Sequence, residues 1–361
     1  MAGKIEPLNT PLLENILNQP AALRAVNSHQ RGVGSQTLAK AASLMESSKR
    51  VVLSGMGASF FATIPFSYRL SARGLPVATV ETSELLYFLE SQADSQTAVV
   101  LVSRSGESVE VTKLLPLLRE RGAKIIGVVN VPDSTLARQA DQTISMGSPP
   151  DELVAIQTFI ATLATFALLD ATITGEANAA HIELERTADV LSGWIPDGVR
   201  SRDSWSDFLS TDAPLYLLGR GPASGSVAEG VLLMHETAKS PTVGMTTAQF
   251  RHGPVEVVDE RFRAIIFGTQ VATETLEAAL ADDLVSMGGQ IRWIGPPAPG
   301  TTPLCPWPAG IPMRFAPIAE IIPIQILAYK KAELAGIRPG HFRWAPTITT
   351  TEAGFPIRTG S

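Results

Sequence analysis

Apolar residues fall into two alternating kinds of run along this chain. Short β-branched runs at 50–54, 76–80, 98–102, 124–129 and 142–145 have the length and composition of buried strands. Between them, stretches near 82–91, 107–121, 133–140 and 152–173 read as helices, as does 10–48, broken near Gln19-Pro20 and Arg31-Gly32. The run at 50–54 enters Gly55-Met56-Gly57-Ala58-Ser59 and a helix to about Arg73. Such alternation predicts a parallel sheet covered by helices. The second half opens in the same way. A strand at 214–218 enters Gly219-Arg220-Gly221-Pro222, and a helix follows over about 223–239. Later come strands near 263–268 and 290–294 and a helix near 318–335. Segment 175–213 reads as a helical connector and the Pro- and Gly-rich 295–312 as a loop. The two Gly-x-Gly turns, each after an apolar strand and before a helix, suggest duplication. The expectation is an α/β chain of two doubly wound, flavodoxin-like parallel-sheet domains in tandem, 1–195 with its leading helices and 196–361 with a C-terminal tail.

The strand at 98–102 runs into Ser103-Arg104-Ser105-Gly106-Glu107-Ser108. Three hydroxyls, an arginine and a glycine at a helix N-terminus suit a dianion, since hydroxyls and free N–H groups donate and the helix dipole favours negative charge. No Gly-Lys-Ser/Thr or Gly-x-Gly-x-x-Gly is present, which points away from nucleotides and towards a phosphate on something small, such as a sugar. An ordinary serine-capped helix would show the same pattern. In the second half, Glu229, Leu233 and Glu236 share a helical face, with His235 beside them. Two carboxylates on an otherwise apolar helix are either solvated or in a site, and the local pattern favours a solvated face. Gly253-Pro254 holds His252 on a turn, where an imidazole could move a proton on or off a sugar oxygen; a loop-capping histidine is the bland alternative. His29, His181 and His341 read as surface or structural.

Composition narrows the class. A net charge of -6 leaves no electrostatic footprint for nucleic acid or an anionic membrane. The N-terminus lacks a basic region followed by an apolar core, and no window has the length of unbroken apolar residues a membrane helix needs, so a cytoplasmic protein is expected. One cysteine, Cys305, rules out a disulfide framework and a cysteine cage, and no compact histidine cluster suggests a metal.

Taken together, these motifs resemble the tandem sugar-isomerase (SIS) family, and in particular the isomerase half of glucosamine–fructose-6-phosphate aminotransferase. The resemblance runs from Glu14-Asn15-Ile16-Leu17-Asn18-Gln19-Pro20 to Thr347-Ile348-Thr349-Thr350-Thr351-Glu352. In order between them lie Gly57-Ala58-Ser59, the 103–108 turn, Val129-Asn130-Val131-Pro132-Asp133-Ser134, Glu229-Gly230 and Arg251-His252-Gly253-Pro254. It implies a sugar-phosphate pocket of Ser103, Arg104, Ser105 and Ser108 with Ser59 nearby. It also implies Glu236 as the proton shuttle between C1 and C2, and His252 as the ring-opening residue, supplied in trans across a homodimer. No metal or redox cofactor is implied.

Three departures modify this picture. The family's Schiff-base lysine is matched by Pro346, with Lys330 and Lys331 a helix and loop away. A lysine one turn before the glutamate is matched by Leu233, which should leave Glu236 with a higher pKa if buried. Arg104 stands for the usual glutamine of the phosphate turn, adding a charge-assisted contact. Residue 2 is alanine rather than a cysteine nucleophile, so glutaminase activity is not expected. The leading expectation is a phosphosugar isomerase- or deaminase-type enzyme acting on a 6-phosphorylated hexose or amino-sugar derivative. Its outcome is isomerisation, deamination or deglycation, and the missing lysine tilts towards the last two. The alternatives are a non-catalytic phosphosugar-binding regulator and an aminotransferase-like activity using ammonia.

Overall fold

The computed structural model describes residues 10–345 and 348–354. Three helices lead, α1 (Pro11–Leu17), α2 (Gln19–Arg31) and α3 (Ser35–Glu46). Thr10 caps α1, its side chain accepting from the Leu13 N–H at 3.3 Å. Pro20 stands in the first turn of α2, where a missing N–H costs least.

A first sheet follows, made of β1 (Arg50–Gly55), β2 (Val77–Thr79), β3 (Thr97–Val102), β4 (Lys124–Val129) and β5 (Gln142–Ser145). It is wholly parallel, in the order β2-β1-β3-β4-β5. Every residue of β3 is buried, as a central strand covered on both faces requires. The crossovers are α4 (Ala58–Phe61) with α5 (Thr63–Ala72), α6 (Thr82–Tyr87), α7 (Val109–Glu120) and α8 (Thr135–Gln139). Then α9 (Gln157–Ile173), α10 (Ala177–Ser201) and the short α11 (Ser206–Leu209) lead to the second sheet.

That sheet comprises β6 (Leu215–Gly219), β7 (Thr242–Thr246), β8 (Arg263–Phe267) and β9 (Gln290–Ile294), all parallel, in the order β7-β6-β8-β9. It repeats the order of the first sheet without a fifth strand. Its helices are α12 (Ser224–Leu233), α13 (Thr247–Arg251), α14 (Glu274–Ser286) and α15 (Ala316–Leu334). The α/β class and the two parallel sheets are as the sequence predicts.

Three local differences have physical causes. The helix expected from residue 152 begins at Gln157. The Asp151 carboxylate accepts the N–H groups of Ile156, Gln157 and Thr158 at 3.1, 2.9 and 2.9 Å, which satisfies the helix start from outside it. Strand β7 was not expected, because Thr-Val-Gly-Met-Thr carries little β-branched apolar signal and forms an edge. Helix α14 was not expected either, since Leu280, Ala281 and Leu284 make only a narrow buried stripe among acidic residues.

One hydrophobic cluster joins both units. It draws Leu53, Val100 and Val128 from the first sheet and Leu217, Ile265 and Ile294 from the second. Between the sheets α9 and α15 are buried along nearly their whole length, so both helices are core on all sides. Among the described residues, no helix is long and apolar enough to cross a membrane.

Candidate active site

The serine-rich turn lies between the end of β3 and the start of α7. The Ser103 hydroxyl accepts the Gly106 N–H at 3.0 Å and stands 3.3 Å from the Ser108 hydroxyl, while Ser105 Oγ accepts the Glu107 N–H at 3.2 Å. Gly106 has φ +67°, and a Cβ there would come within 2.1 Å of Ser134 Oγ, so only glycine lets the turn fold back this closely. Arg104 is held by its Nη1, which donates to the Leu153 carbonyl at 3.0 Å.

Across from the turn stands Glu236. Helix α12 ends at Leu233, and the chain continues through one π-helical turn, Met234–Ala238, an arrangement that in helices accompanies functional sites. Lys239 then takes a left-handed conformation, φ 53°, and Pro241 follows, so the helix cannot continue. Lys239 is the one non-glycine residue with positive φ among the described residues. Its Nζ donates to the Glu236 carbonyl oxygen and lies 5.8 Å from the centre of the Phe342 ring.

The turn and Glu236 line a single cavity of about 280 Å³. Of the residues singled out in the sequence, Ser59, Ser103, Arg104, Ser105, Ser108 and Glu236 are all on its wall. His252 is not. It is exposed at the C-terminal end of α13, outside the cavity of its own chain. Pro346 lies outside the described residues. Lys330 is engaged with Asp203 at 2.6 Å and Lys331 with the carbonyls of Leu209 and Thr211, so both are committed elsewhere.

Burial sets the electrostatics. The Glu236 carboxyl is half-buried, and desolvation pushes its pKa up to about 7 against the opposing pull of Arg104 and Lys239. Leu233, buried at the position one turn earlier, supplies no charge to hold it down. Glu229 is 1% exposed, its Oε2 has no hydrogen-bond partner among the described residues, and burial together with Glu236 and Asp151 raises it well above the usual carboxylate range. The solvated face favoured from the local pattern is therefore corrected: this face of α12 packs inward, against α15 and β6.

Two contributors were not foreseen. Lys239 supplies a cation beside Glu236, and its own pKa is lowered by burial and by Arg343; its position three residues after Glu236 was the available signal. The chain after Gly340 supplies Phe342, Ala345, Ile348 and Thr349 to the cavity wall of its own subunit. It is fastened by the Val109 N–H donating to the Thr349 carbonyl at 3.0 Å and by Glu352, which pairs with Lys113 and accepts from the Tyr87 hydroxyl at 2.6 Å. Of the remaining histidines, His181 is buried with Nδ1 2.7 Å from Asn27 Oδ1, a structural role.

The chain is similar to known proteins in sequence and in fold. Residues 44–175 match the SIS domain model. Over 351 residues, 94% of the chain, it is 25% identical to the glutamine–fructose-6-phosphate aminotransferase (isomerizing) of Pyrococcus horikoshii, and it spans 58% of that protein's length. The C-terminal domain of glucosamine–fructose-6-phosphate aminotransferase from Francisella tularensis superposes with a TM-score of 0.82 at 19% identity, covering 92% of this chain and 98% of that one. Glucosamine-6-phosphate deaminase from Thermotoga maritima does so with 0.73 at 20%, covering 92% and 97%. Residues 44–175 thus match the SIS domain model, and over nearly its whole length the chain resembles the isomerase part of the glutamine–fructose-6-phosphate aminotransferases.

Proposed function

We propose that this protein is a sugar-phosphate isomerase- or deaminase-type enzyme that moves a proton between C1 and C2 of a 6-phosphorylated hexose or amino-sugar derivative. In this reading both units, 1–195 and 196–361, are of the SIS type, and the substrate sits in the cavity that residues of both units line. The phosphate sits against the hydroxyls of Ser103, Ser105, Ser108 and Ser59 and the guanidinium of Arg104. Glu236 as carboxylate takes the proton from the carbon next to the carbonyl or imine, giving an enediol or enolamine, and as carboxylic acid returns it to the neighbouring carbon. One observation carries the assignment: a carboxyl with a pKa of about 7 shares one small cavity with a hydroxyl- and arginine-rich anion turn. A base poised near neutrality is what proton transfer α to a carbonyl requires. Relatives named as aminotransferase, deaminase and tagatose-6-phosphate ketose/aldose isomerase support the same class. His252 acts in a homodimer, opening the sugar ring in the partner's cavity, which fits its exposure away from its own. The route uses no metal or redox cofactor.

Proton NMR in D₂O tests this with fructose, glucose, glucosamine and fructosamine-type 6-phosphates. Deuterium entering C1 or C2 of one of them, and only with Glu236 intact rather than Glu236→Gln, is the expected result. Absence of exchange in every sugar, with ligand-induced shifts in the protein signals, overturns the catalytic role and leaves a binding protein.

A further inference from the structure

A second cavity, of about 140 Å³, adjoins the candidate site. Its walls come from α1, from the segment 152–154 that precedes α9, and from the chain after α15 at 338–341. Gly340, with φ +73°, lets these walls close up: a Cβ there would stand 3.3 Å from Leu12 and 3.5 Å from Val154. Two links tie this cavity to the first. Leu153 lines both, and its carbonyl accepts from Arg104. His341 lines the second cavity, while the next residue, Phe342, lines the first and has its ring centre 5.8 Å from Lys239 Nζ. Lys239 Nζ in turn donates to the Glu236 carbonyl. Further along the same tail, the Thr349 carbonyl accepts the Val109 N–H at the start of α7. The tail therefore meets the second cavity first, then the Glu236 side of the first cavity, then the serine-rich turn.

Both signs of charge line the second cavity. Glu152 and Arg338 stand on separate segments and are exposed, and neither has an ion-pair partner among the described residues, including each other. Asn15 Oδ1 accepts from Gln157 Nε2 at 3.1 Å, which leaves the Asn15 Nδ2 hydrogens without an acceptor among the described residues. A ligand with a carboxylate alone would meet Glu152 as a like charge, and one with an ammonium alone would meet Arg338 so. A group that carries both satisfies both. The cavity has the liquid volume of roughly five waters, room for an ammonium, a carbon and a carboxylate.

We infer that the second cavity is a subsite for a zwitterionic amino-acid head group carried on the C1 nitrogen of the sugar phosphate. Arg338 takes the carboxylate through its planar fork, Glu152 takes the ammonium, and the Asn15 amide donates to the carboxylate. The substrate class is then an amino acid joined through its side-chain amine to C1 of a 6-phosphoketose, rather than an unsubstituted amino sugar. The placing of the sugar, with phosphate on the turn and C1 and C2 at Glu236, rests on the proposed function; the charges and the shape of the second cavity stand apart from it.

The test is isothermal titration calorimetry of the whole chain carrying Glu236→Gln, so that no turnover intervenes. The probes are two 6-phosphofructosamines, one bearing lysine through its side-chain nitrogen and the other pentylamine, the same stem without the two charges. The lysine conjugate is expected to bind about tenfold more tightly. Arg338→Gln and Glu152→Gln, each shown to be folded by circular dichroism, are expected to bring the ratio close to one. Equal affinity for the two conjugates overturns the inference, as does binding of neither, and so does a preference that survives both substitutions. Deuterium exchange into the sugars, measured with Glu236 intact, separates the two readings. Its absence with the preference retained strikes the proton transfer alone, and exchange without the preference strikes the subsite alone.

Discussion

Replacing Gly106 by alanine probes the anion turn at its tightest point. At φ +67° an L side chain costs roughly 1–2 kcal/mol in backbone strain. The new Cβ would stand 2.1 Å from Ser134 Oγ and 2.5 Å from Ser134 Cβ, so Ser134 has to move. Ser134 is 2% exposed and caps α8 by accepting the Ala137 N–H at 3.4 Å, so it has little room; overpacking of this kind costs roughly 1–3 kcal/mol. The sum is a loss of roughly 2–5 kcal/mol. Urea unfolding at constant m-value measures it. A second substitution separates the parts. Ser134→Gly removes both clashing atoms at a cost of only a few tenths of a kcal/mol as a cap, so it should recover the packing part and leave the backbone part. Phosphosugar affinity should fall in the single variant as well, because the Gly106 N–H is what the Ser103 hydroxyl accepts. A loss under about 0.5 kcal/mol, or a loss that Ser134→Gly does not lessen, would refute the account.

Two further outcomes are expected. Lys239, with Arg104, holds the Glu236 carboxyl down, so Lys239→Met should move the pH limb that requires ionised Glu236 upward; a profile of kcat/KM against pH that does not move would remove Lys239 from the site. Glu277 of α14 is buried beside Arg220, and its folded pKa of about 7 exceeds the usual carboxylate value, so the fold favours the protonated form. Its stabilising contribution is complete below about pH 4.5 and lost as pH rises through about 7. Glu277→Gln, neutral throughout, should therefore gain on the unaltered chain across that window, by about 3 kcal/mol above it. Parallel urea midpoints at pH 4, 6 and 8 would contradict this.

Much of the architecture was legible because parallel strands buried on both faces leave short continuous apolar runs, and β1, β3, β4, β6 and β8 all show them. Edge strand β7 and helix α14 were not, since neither carries a wide apolar stripe. The serine-rich turn on the cavity wall was readable because three hydroxyls, a glycine and an arginine sit in six consecutive residues. Glu236 was readable as a carboxylate on an apolar helix, but its burial was not: whether such a face meets water depends on α15, some eighty residues later in the chain. Lys239 escaped because a π turn and a left-handed residue redirect it, and neither departure from α-helical geometry has a marker in Met-His-Glu-Thr-Ala-Lys. Glu277 escaped for a similar reason, since its partner Arg220 is distant in sequence.

The shared core has a consequence for how the molecule folds and fails. Since α9 and α15 are buried along nearly their whole length and contribute to one cluster with strands of both sheets, a cut between the sheets would bare both helices to water. The two sheets are therefore expected to melt in one transition, which agreement of the calorimetric and van't Hoff enthalpies would check. A destabilising change beneath β8 or β9, far from the serine turn, should therefore be felt at the candidate cavity as a drop in the folded fraction of the whole chain rather than as a local defect.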